Sequence, residues 1–256
     1  MIRNDLHVHS IQSLCGLHTL LEIVEIAAKK GIQTVNICDH GSALGKKMNF
    51  GVLADKRRCP RDVTSSTGIK VRVLAGIETN ILDIDGNSDF PERYPTIFDL
   101  VSAGFHSCAK KLSSAKSRED NTKALENYLK RYPLDILTHP CIATFPLDLE
   151  KVAKLSMEYG FAMEVNNTNL RVGKTDIEQL IKVIQLAKEQ GAVLVENSDG
   201  HSYFEIGEND RIEGLLHELK LDGNDLFMNR DDDALNKFLD KRKKSGNTIR
   251  ERTTRP

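Results

Sequence analysis

Short apolar runs alternate along the chain with stretches whose apolar residues recur at helical spacing. Runs of strand character are Leu6–His9, Gln33–Cys38, Val71–Leu74, Leu100–Val101, Ile136–Leu137, Ala162–Asn166 and Ala192–Val195. The predicted helices are Leu20–Lys30, Asn121–Arg131, Asp148–Tyr159, Asp176–Gln190, Glu208–Leu219 and Asp232–Lys243, the first with Gly31 as a natural stop. This alternation predicts a parallel sheet covered by helices.

The order of the elements favours one barrel. About seven strands predict an α/β fold, a distorted (β/α)7 barrel related to the TIM barrel. The alternative is an open doubly wound sheet, which would gather functional residues near one switch point. Candidate residues instead follow nearly every strand. We predict one domain over 1–256, with a core of about 4–240 and a charged tail over 241–256 that is a disordered end or a solvated helix face.

One segment predicts a long loop, and the overall composition predicts which partners and location to expect. Gly41–Lys70 has no clear period, holds several Lys and Arg residues, and is predicted to be a long loop on the catalytic face. A net charge of −1 and the absence of tryptophan give no reason to expect nucleic-acid binding. We expect no membrane span and no signal peptide. Five cysteines without regular spacing favour a cytoplasmic location.

Polar motifs follow most of the strand-type runs, and they contain six of the eight histidines. They are Asp5-Leu6-His7-Val8-His9, Cys38-Asp39-His40, Gly76-Ile77-Glu78, Gly104-Phe105-His106, Thr138-His139 and Asp199-Gly200-His201. Imidazoles and carboxylates are ligands for zinc, manganese or iron, and this set is larger than one metal needs. The motifs therefore predict a polynuclear metal site at the carboxyl ends of the strands.

Each motif taken singly is ambiguous. His7 and His9 are two residues apart on a strand, so both can reach one ion, but an HxH pair also occurs by chance. A single histidine such as His40 is more often a structural residue. Glu78 would need a charged partner if buried, and a position between two metals supplies one. So many motifs at the same topological location are hard to explain as core residues, which favours the metal site.

The motifs together resemble those of the PHP (polymerase and histidinol phosphatase) superfamily, and within it the small phosphatases of the YcdX type. The resemblance runs from Asp5 to about Gly207. It includes Gly76-Ile-Glu-Thr-Asn80, Ala103-Gly-Phe-His106, Glu164-Val-Asn-Asn167 and Asn197-Ser-Asp-Gly-His201. It implies a distorted seven-stranded β/α barrel, a three-metal cluster of zinc, manganese or iron, and hydrolysis of phosphate monoesters.

The resemblance also implies roles for single residues. One metal would bind His7, His9, Glu78 and Asp199, and Glu78 would bridge to a second metal on His106 and His139. A third metal would bind His40 and His201. Asp39 would orient a ligand imidazole. The predicted catalytic residues are accordingly Glu78, Asp199 and Asp39.

Cys15 departs from the pattern, because the close relatives have a histidine ligand of the third metal at this position. Thiolate binds zinc well and manganese poorly, so Cys15 as a ligand would favour zinc. Alternatively the third metal is weakened or lost, or His18 replaces the missing ligand. We expect two or three divalent metals per chain, with zinc favoured over manganese or iron.

Clustered divalent metals suit phosphoester hydrolysis, because they lower the pKa of a water toward ~7 and neutralise phosphate oxygens. Cationic side chains would help to bind the phosphate. The candidates, each equally consistent with solvated surface charge, are Arg57, Arg61, Arg171 and Lys174. The expected partner is a small phosphorylated substrate whose identity the sequence does not give.

Two other functions remain as alternatives. Some PHP proteins are exonucleases or phosphodiesterases, but the near-neutral charge of this chain argues against that activity. The change at Cys15 could instead leave a metal-binding protein with reduced catalysis. Assays with p-nitrophenyl phosphate and single-stranded DNA, together with metal analysis, separate the three.

Overall fold

Seven parallel strands curve into a nearly closed barrel in the computed structural model, which describes residues 1–44, 56, 58–93, 96–107 and 117–241. The strands in spatial order are β1 (Asn4–Val8), β2 (Thr34–His40), β4 (Lys70–Asn80), β5 (Leu100–Gly104), β6 (Ile136–Leu137), β7 (Ala162–Asn166) and β8 (Leu194–Asn197). A short strand, β3 (Asp62–Thr64), pairs antiparallel with β4 outside this order. The predicted seven-stranded barrel is confirmed.

The barrel closes between its first and last strands. Val8 forms a parallel bridge with Gly200, just beyond β8. The His9 amide donates to the Gly200 carbonyl at 2.9 Å, and the Leu6 amide donates to Asn197 Oδ1 at 2.9 Å. This closure brings the polar residues after β8 beside those at the end of β1.

Helices connect the strands, as the pattern predicted. They are α1 (Leu20–Lys30), α2 (Arg118–Leu129), α3 (Leu149–Tyr159), α4 (Asn167–Arg171), α5 (Ile177–Gln190) and α6 (Asp210–Leu219), and residues 232–241 are also helical. Thr19 and Glu22 form a capping box at the start of α1, and Gly31 ends it with φ of 76°. Within the part of the chain that the structure describes, none of the helices has the length and apolarity to cross a membrane.

An apolar layer fills the barrel below its carboxyl end. It takes one side chain from each of six strands, and Leu235 and Leu239 of the helical residues 232–241 pack against it. The strand residues are Leu6, Leu74, Leu100, Ile136, Ala162 and Val195. Three of them begin their strands, so the apolar layer lies toward the amino-terminal end. The polar motifs therefore occupy the opposite end.

The prediction of one continuous loop over 41–70 was wrong at its end. Val63 of β3 pairs with Val71 at the start of β4 and packs against apolar residues there. Three residues are too few to show a strand period, so no periodicity in the sequence predicts β3. Residues 45–55 and 57 of the predicted loop, and the charged tail beyond residue 241, lie outside the described residues.

Candidate metal centre

The structure brings together the predicted ligands at the carboxyl end of the barrel. His40 ends β2 and lies in register with Glu78 of β4. The other side chains lie at or just beyond the ends of β1, β5, β6 and β8, and they are His7, His9, His106, His139, Asp199 and His201. Ligand atoms of His7, His9 and Glu78 lie within 4.8 Å of one another, as do those of His40, Glu78 and His106.

Glu78 lies at the centre of this cluster and is buried. Its Oε2 is 2.8 Å from His40 Nδ1 and 3.4 Å from His7 Nε2. Its Oε1 is 3.3 Å from His106 Nε2 and 3.2 Å from His139 Nε2. Neither oxygen has a hydrogen bond of acceptable geometry within the protein. Because a buried carboxylate needs a cation or donors, two oxygens that face separate groups of imidazoles fit a bridging position between metals.

A second carboxylate faces the imidazoles of β1. Asp199 Oδ1 lies 3.4 Å from His7 Nε2 and 3.3 Å from His9 Nε2, and these two nitrogens are 3.0 Å apart. The His7, His9 and Asp199 atoms thus point toward a common centre. A cation at that centre would satisfy all three, which is the coordination that zinc or a similar metal provides.

Glu164 of β7 is a functional candidate that was not among the predicted site residues. Its Oε1 is 2.7 Å from His7 Nδ1 and accepts from Asn197 Nδ2 at 2.8 Å. Its Oε2 accepts from the His139 amide at 2.8 Å and from Asn166 Nδ2 at 3.0 Å. Glu164 therefore fixes the ring of one candidate ligand and the backbone of another. Its appearance in a polar stretch that ends a strand was the available sequence signal.

Asp39 acts on the cluster through a serine. Asp39 Oδ1 accepts from the Ser10 amide and from Ser13 Oγ, both at 2.8 Å. The Ser13 hydroxyl donates its hydrogen bond to Asp39. The Ser13 oxygen can therefore accept from the His40 amide at 3.1 Å and from His9 Nδ1 at 3.0 Å. A neutral His9 then presents the lone pair of Nε2 to the cluster. Asp39 thus lies where an orienting role requires it, with Ser13 as an intermediary that the sequence did not indicate.

Cys15 joins a third group of candidate ligands. One ligand atom from each of His9, Cys15, His40 and His201 lies within 4.8 Å of the others. Burial raises the pKa of Cys15, but hydrogen bonds to His201 and His40 lower it to about 6. A Cβ at Gly16 would collide with the carbonyl oxygens of His9 and Ser10, so glycine lets the turn with Cys15 pack closely on the end of β1.

His18 is not part of this group. Its Nε2 accepts a hydrogen bond from the Tyr203 amide at 2.9 Å, which occupies the lone pair that a metal would need. Cys15 therefore fits the position of a ligand of the expected third metal better than His18 does.

Charge within the cluster is strongly perturbed. Burial raises the pKa of Glu78 and of Asp199, but His7 and the other imidazoles lower both well below the usual range. Burial and the nearby His40 lower the pKa of His9 to about 3, which keeps this ring neutral as metal binding requires. Burial opposes protonation of the other imidazoles, but the carboxylates and Cys15 raise the pKa of His7 well above its usual range, that of His40 to about 10 and that of His201 to about 9. Protonated imidazoles thus balance the two carboxylates, and divalent metals bound by neutral imidazoles would supply the same positive charge.

Backbone strain concentrates around the same residues. Among the residues that the structure describes, four non-glycine residues have a positive φ. Two are the candidate ligands His139 and Asp199, with φ of 37° and 53°, and a third is Leu14, which precedes Cys15, with φ of 68°. Such conformations cost free energy and cluster at functional sites.

The predicted phosphate-binding cations fall in different places. Arg171 Nη2 lies 3.5 Å from Glu205 Oε1, and Glu205 Oε2 accepts from the His201 amide at 3.0 Å, so Arg171 is near the cluster. Lys174 is exposed, three residues further along. Arg61 pairs with Asp99 before the start of β5, so the structure does not bring it to the cluster. Arg57 lies outside the described residues.

The sequence matches a protein family and several relatives over most of its length. The PHP domain model matches residues 5–203. A probable phosphatase of Shewanella sp. (strain ANA-3) is 33% identical over 239 residues, 93% of this chain and 91% of the relative. A probable phosphatase of Acetivibrio thermocellus is 34% identical over 240 residues, 94% of this chain and 95% of the relative.

A solved structure shares the fold. The histidinol phosphate phosphatase of Lactococcus lactis, solved with zinc, L-histidinol and phosphate, superposes with a TM-score of 0.57 at 15% identity. The match covers 86% of this chain and 94% of that chain. At this identity the likeness shows the fold alone, and the family follows from the sequence matches. The chain belongs to the PHP domain family.

Proposed function

We propose that the chain is a metal-dependent hydrolase of phosphate monoesters. The observation that carries this proposal is Glu78, a buried carboxylate whose two oxygens face separate groups of imidazoles without a hydrogen bond. The family relatives named as probable phosphatases support the reaction class. The Lactococcus lactis enzyme, which was solved with zinc and phosphate, supports the kind of metal.

The proposed ligands form three sets that share Glu78 or lie beside it. The first set is His7, His9, Glu78 and Asp199, the second is Glu78, His106 and His139, and the third is Cys15, His40 and His201. Divalent metals held there would supply a water of lowered pKa and neutralise the phosphate oxygens. The third set decides whether the chain binds two metals or three.

The protein's own groups would orient these ligands and the substrate. Glu164 holds the His7 ring, and Asp39 holds the His9 ring through Ser13. Among the predicted cations that the structure describes, Arg171 is the best placed to contact a phosphate, because Glu205 links it to the His201 loop. Its guanidinium could bind two phosphate oxygens at once.

A substrate comparison tests the reaction class. With zinc or manganese present, the protein should hydrolyse p-nitrophenyl phosphate, and excess chelator should abolish the activity. Turnover of bis(p-nitrophenyl) phosphate and of single-stranded DNA should be far slower. A preference for the diester or for DNA would instead indicate a phosphodiesterase or exonuclease. Metal binding without turnover of any of them would indicate a metal-binding protein with reduced catalysis.

Cobalt substitution tests Cys15 without relying on activity. If Cys15 is a ligand, the cobalt(II) protein should show a thiolate-to-cobalt charge-transfer band in the near ultraviolet. The Cys15→Ser variant should lose this band and bind one metal fewer. The Cys15→His variant should bind manganese better than the wild type, since manganese prefers a nitrogen ligand to a sulfur ligand. Cys59→Ser, at a partly buried cysteine that packs beside β4, is the control and should keep the band. An unchanged spectrum in Cys15→Ser would remove Cys15 from the site.

A further inference from the structure

Lys56 is a buried lysine close to the metal centre. Its side chain is 7% exposed. The ammonium nitrogen lies 2.8 Å from Asp39 Oδ2 and donates to the Ile37 carbonyl at 2.6 Å. Lysine is seldom buried unless it is paired, because removing an ammonium from water is costly. The position therefore suggests a role beyond that of a surface charge.

The partner of Lys56 supports two candidate ligands. Both Asp39 oxygens are occupied, because Ser10 and Ser13 donate to Oδ1 while Lys56 pairs with Oδ2. Burial raises the pKa of Asp39, but the Lys56 ammonium is the main group that lowers it, to well below its usual range. Lys56 thus balances the charge of a carboxylate that would otherwise be buried without a cation.

We propose that Lys56 is a positioning residue for the metal centre. The Lys56 ammonium pairs with Asp39, and Asp39 accepts a hydrogen bond from the Ser13 hydroxyl. The Ser13 oxygen in turn accepts from His9 Nδ1 and from the His40 amide. Without the ammonium, the buried Asp39 carboxylate would lose its cationic partner and shift, and the hydroxyl of Ser13 would lose its acceptor. The His9 ring would then no longer be fixed with its lone pair toward the cluster. This inference rests on the proposed metal site.

The competing explanation is that Lys56 only stabilises the fold. Lys30 offers a matched control, because its side chain is 9% exposed and its nitrogen also pairs with one carboxylate and one carbonyl. These partners are Glu208 Oε1 at 2.7 Å and the Ile206 carbonyl at 2.9 Å. Both Lys56→Met and Lys30→Met remove a buried ion pair, but only the first touches the carboxylate that orients His9.

Zinc affinity and thermal stability of the metal-free protein separate the two explanations. Both variants should unfold at a lower temperature. In competition with a chromophoric chelator, Lys56→Met should bind its zinc about 10- to 100-fold more weakly than the wild type, a typical cost of losing such a supporting contact. Lys30→Met should bind zinc as the wild type does, and Lys56→Arg, which keeps the charge, should recover most of the affinity.

A double-mutant cycle with Ser13→Ala adds a second criterion. Because both residues act through one chain of contacts, the double variant should lose little more zinc affinity than Ser13→Ala alone. Should Lys56→Met fail to fold, Lys56→Gln, which keeps a donor for the Ile37 carbonyl, carries the same expectation. Any one of three results would overturn the inference. They are wild-type zinc affinity in the folded Lys56 variant, an equal loss of zinc affinity in Lys30→Met, or no zinc binding by the wild type. If the wild type binds zinc but hydrolyses no monoester, the proposed function fails while this inference stands.

Discussion

Glu78→Gln is expected to abolish turnover of phosphate monoesters while leaving the fold intact. The substitution keeps the size of the side chain but removes the negative charge that both groups of imidazoles face. It also places an amide donor where a metal would require an acceptor. If metals held by Glu78 activate the attacking water, the substitution should lower kcat by ~10³-fold or more, which corresponds to several kcal/mol of barrier. Steady-state kinetics at saturating metal, with circular dichroism to check folding, measures this effect.

Glu196→Gln provides the matched control for this prediction. Glu196 is also a buried glutamate on a barrel strand, but its partners are Arg230 and Asn209, which lie outside the cluster. The control variant should lose stability and keep its turnover number. If Glu78→Gln kept more than about a tenth of the wild-type kcat, Glu78 would not bridge the metals.

Glu164→Gln is expected to weaken metal binding strongly, and excess zinc should partly restore activity. Each Glu164 oxygen accepts from two donors, His7 and Asn197 on one side and the His139 amide and Asn166 on the other. Whichever way the glutamine amide turns, its NH₂ group faces two donors, so one candidate ligand loses its support. The loss of zinc affinity should be about 10- to 100-fold.

The response to zinc distinguishes this variant from Glu78→Gln. Activity of Glu164→Gln should rise toward that of the wild type as zinc is added, because the ligands themselves are still present. Activity of Glu78→Gln should stay low at every zinc concentration. A wild-type zinc dependence of Glu164→Gln would show that Glu164 has no part in orienting His7 or His139.

The barrel and the convergence of its polar motifs could be predicted because both follow from local patterns. Side chains two residues apart on a strand share a face, and the carboxyl ends of parallel strands lie together. β4 shows the limit of such patterns. The sequence predicts a strand over Val71–Leu74, whereas β4 runs from Lys70 to Asn80 and contains Glu78. Ala75 and Gly76 have weak strand propensity and Glu78 is charged, so the apolar run that the prediction relies on stops before the strand does.

The supporting contacts could not be predicted, because no local pattern encodes them. Lys56 reaches Asp39 from a segment without any period, and Glu164 contacts His7 across 157 positions of the chain. Arg61 is the converse case, because a basic segment suggested phosphate binding and the structure shows an ion pair with Asp99. Pairing of β3 with the start of β4 places that side chain beside Asp99, away from the candidate ligands. Such residues are identified by tertiary contacts and not by their spacing.

We expect metals in the Glu78 cluster to be required for phosphate monoester hydrolysis. This requirement is tested by titrating zinc into chelator-treated protein, with p-nitrophenyl phosphate turnover and bound zinc per chain measured on the same samples. We expect no turnover without metal, and activity that rises only as the chain binds at least two zinc ions and reaches its maximum at two or three. Full turnover by the metal-free protein, or maximal turnover with fewer than two metals bound per chain, would contradict it.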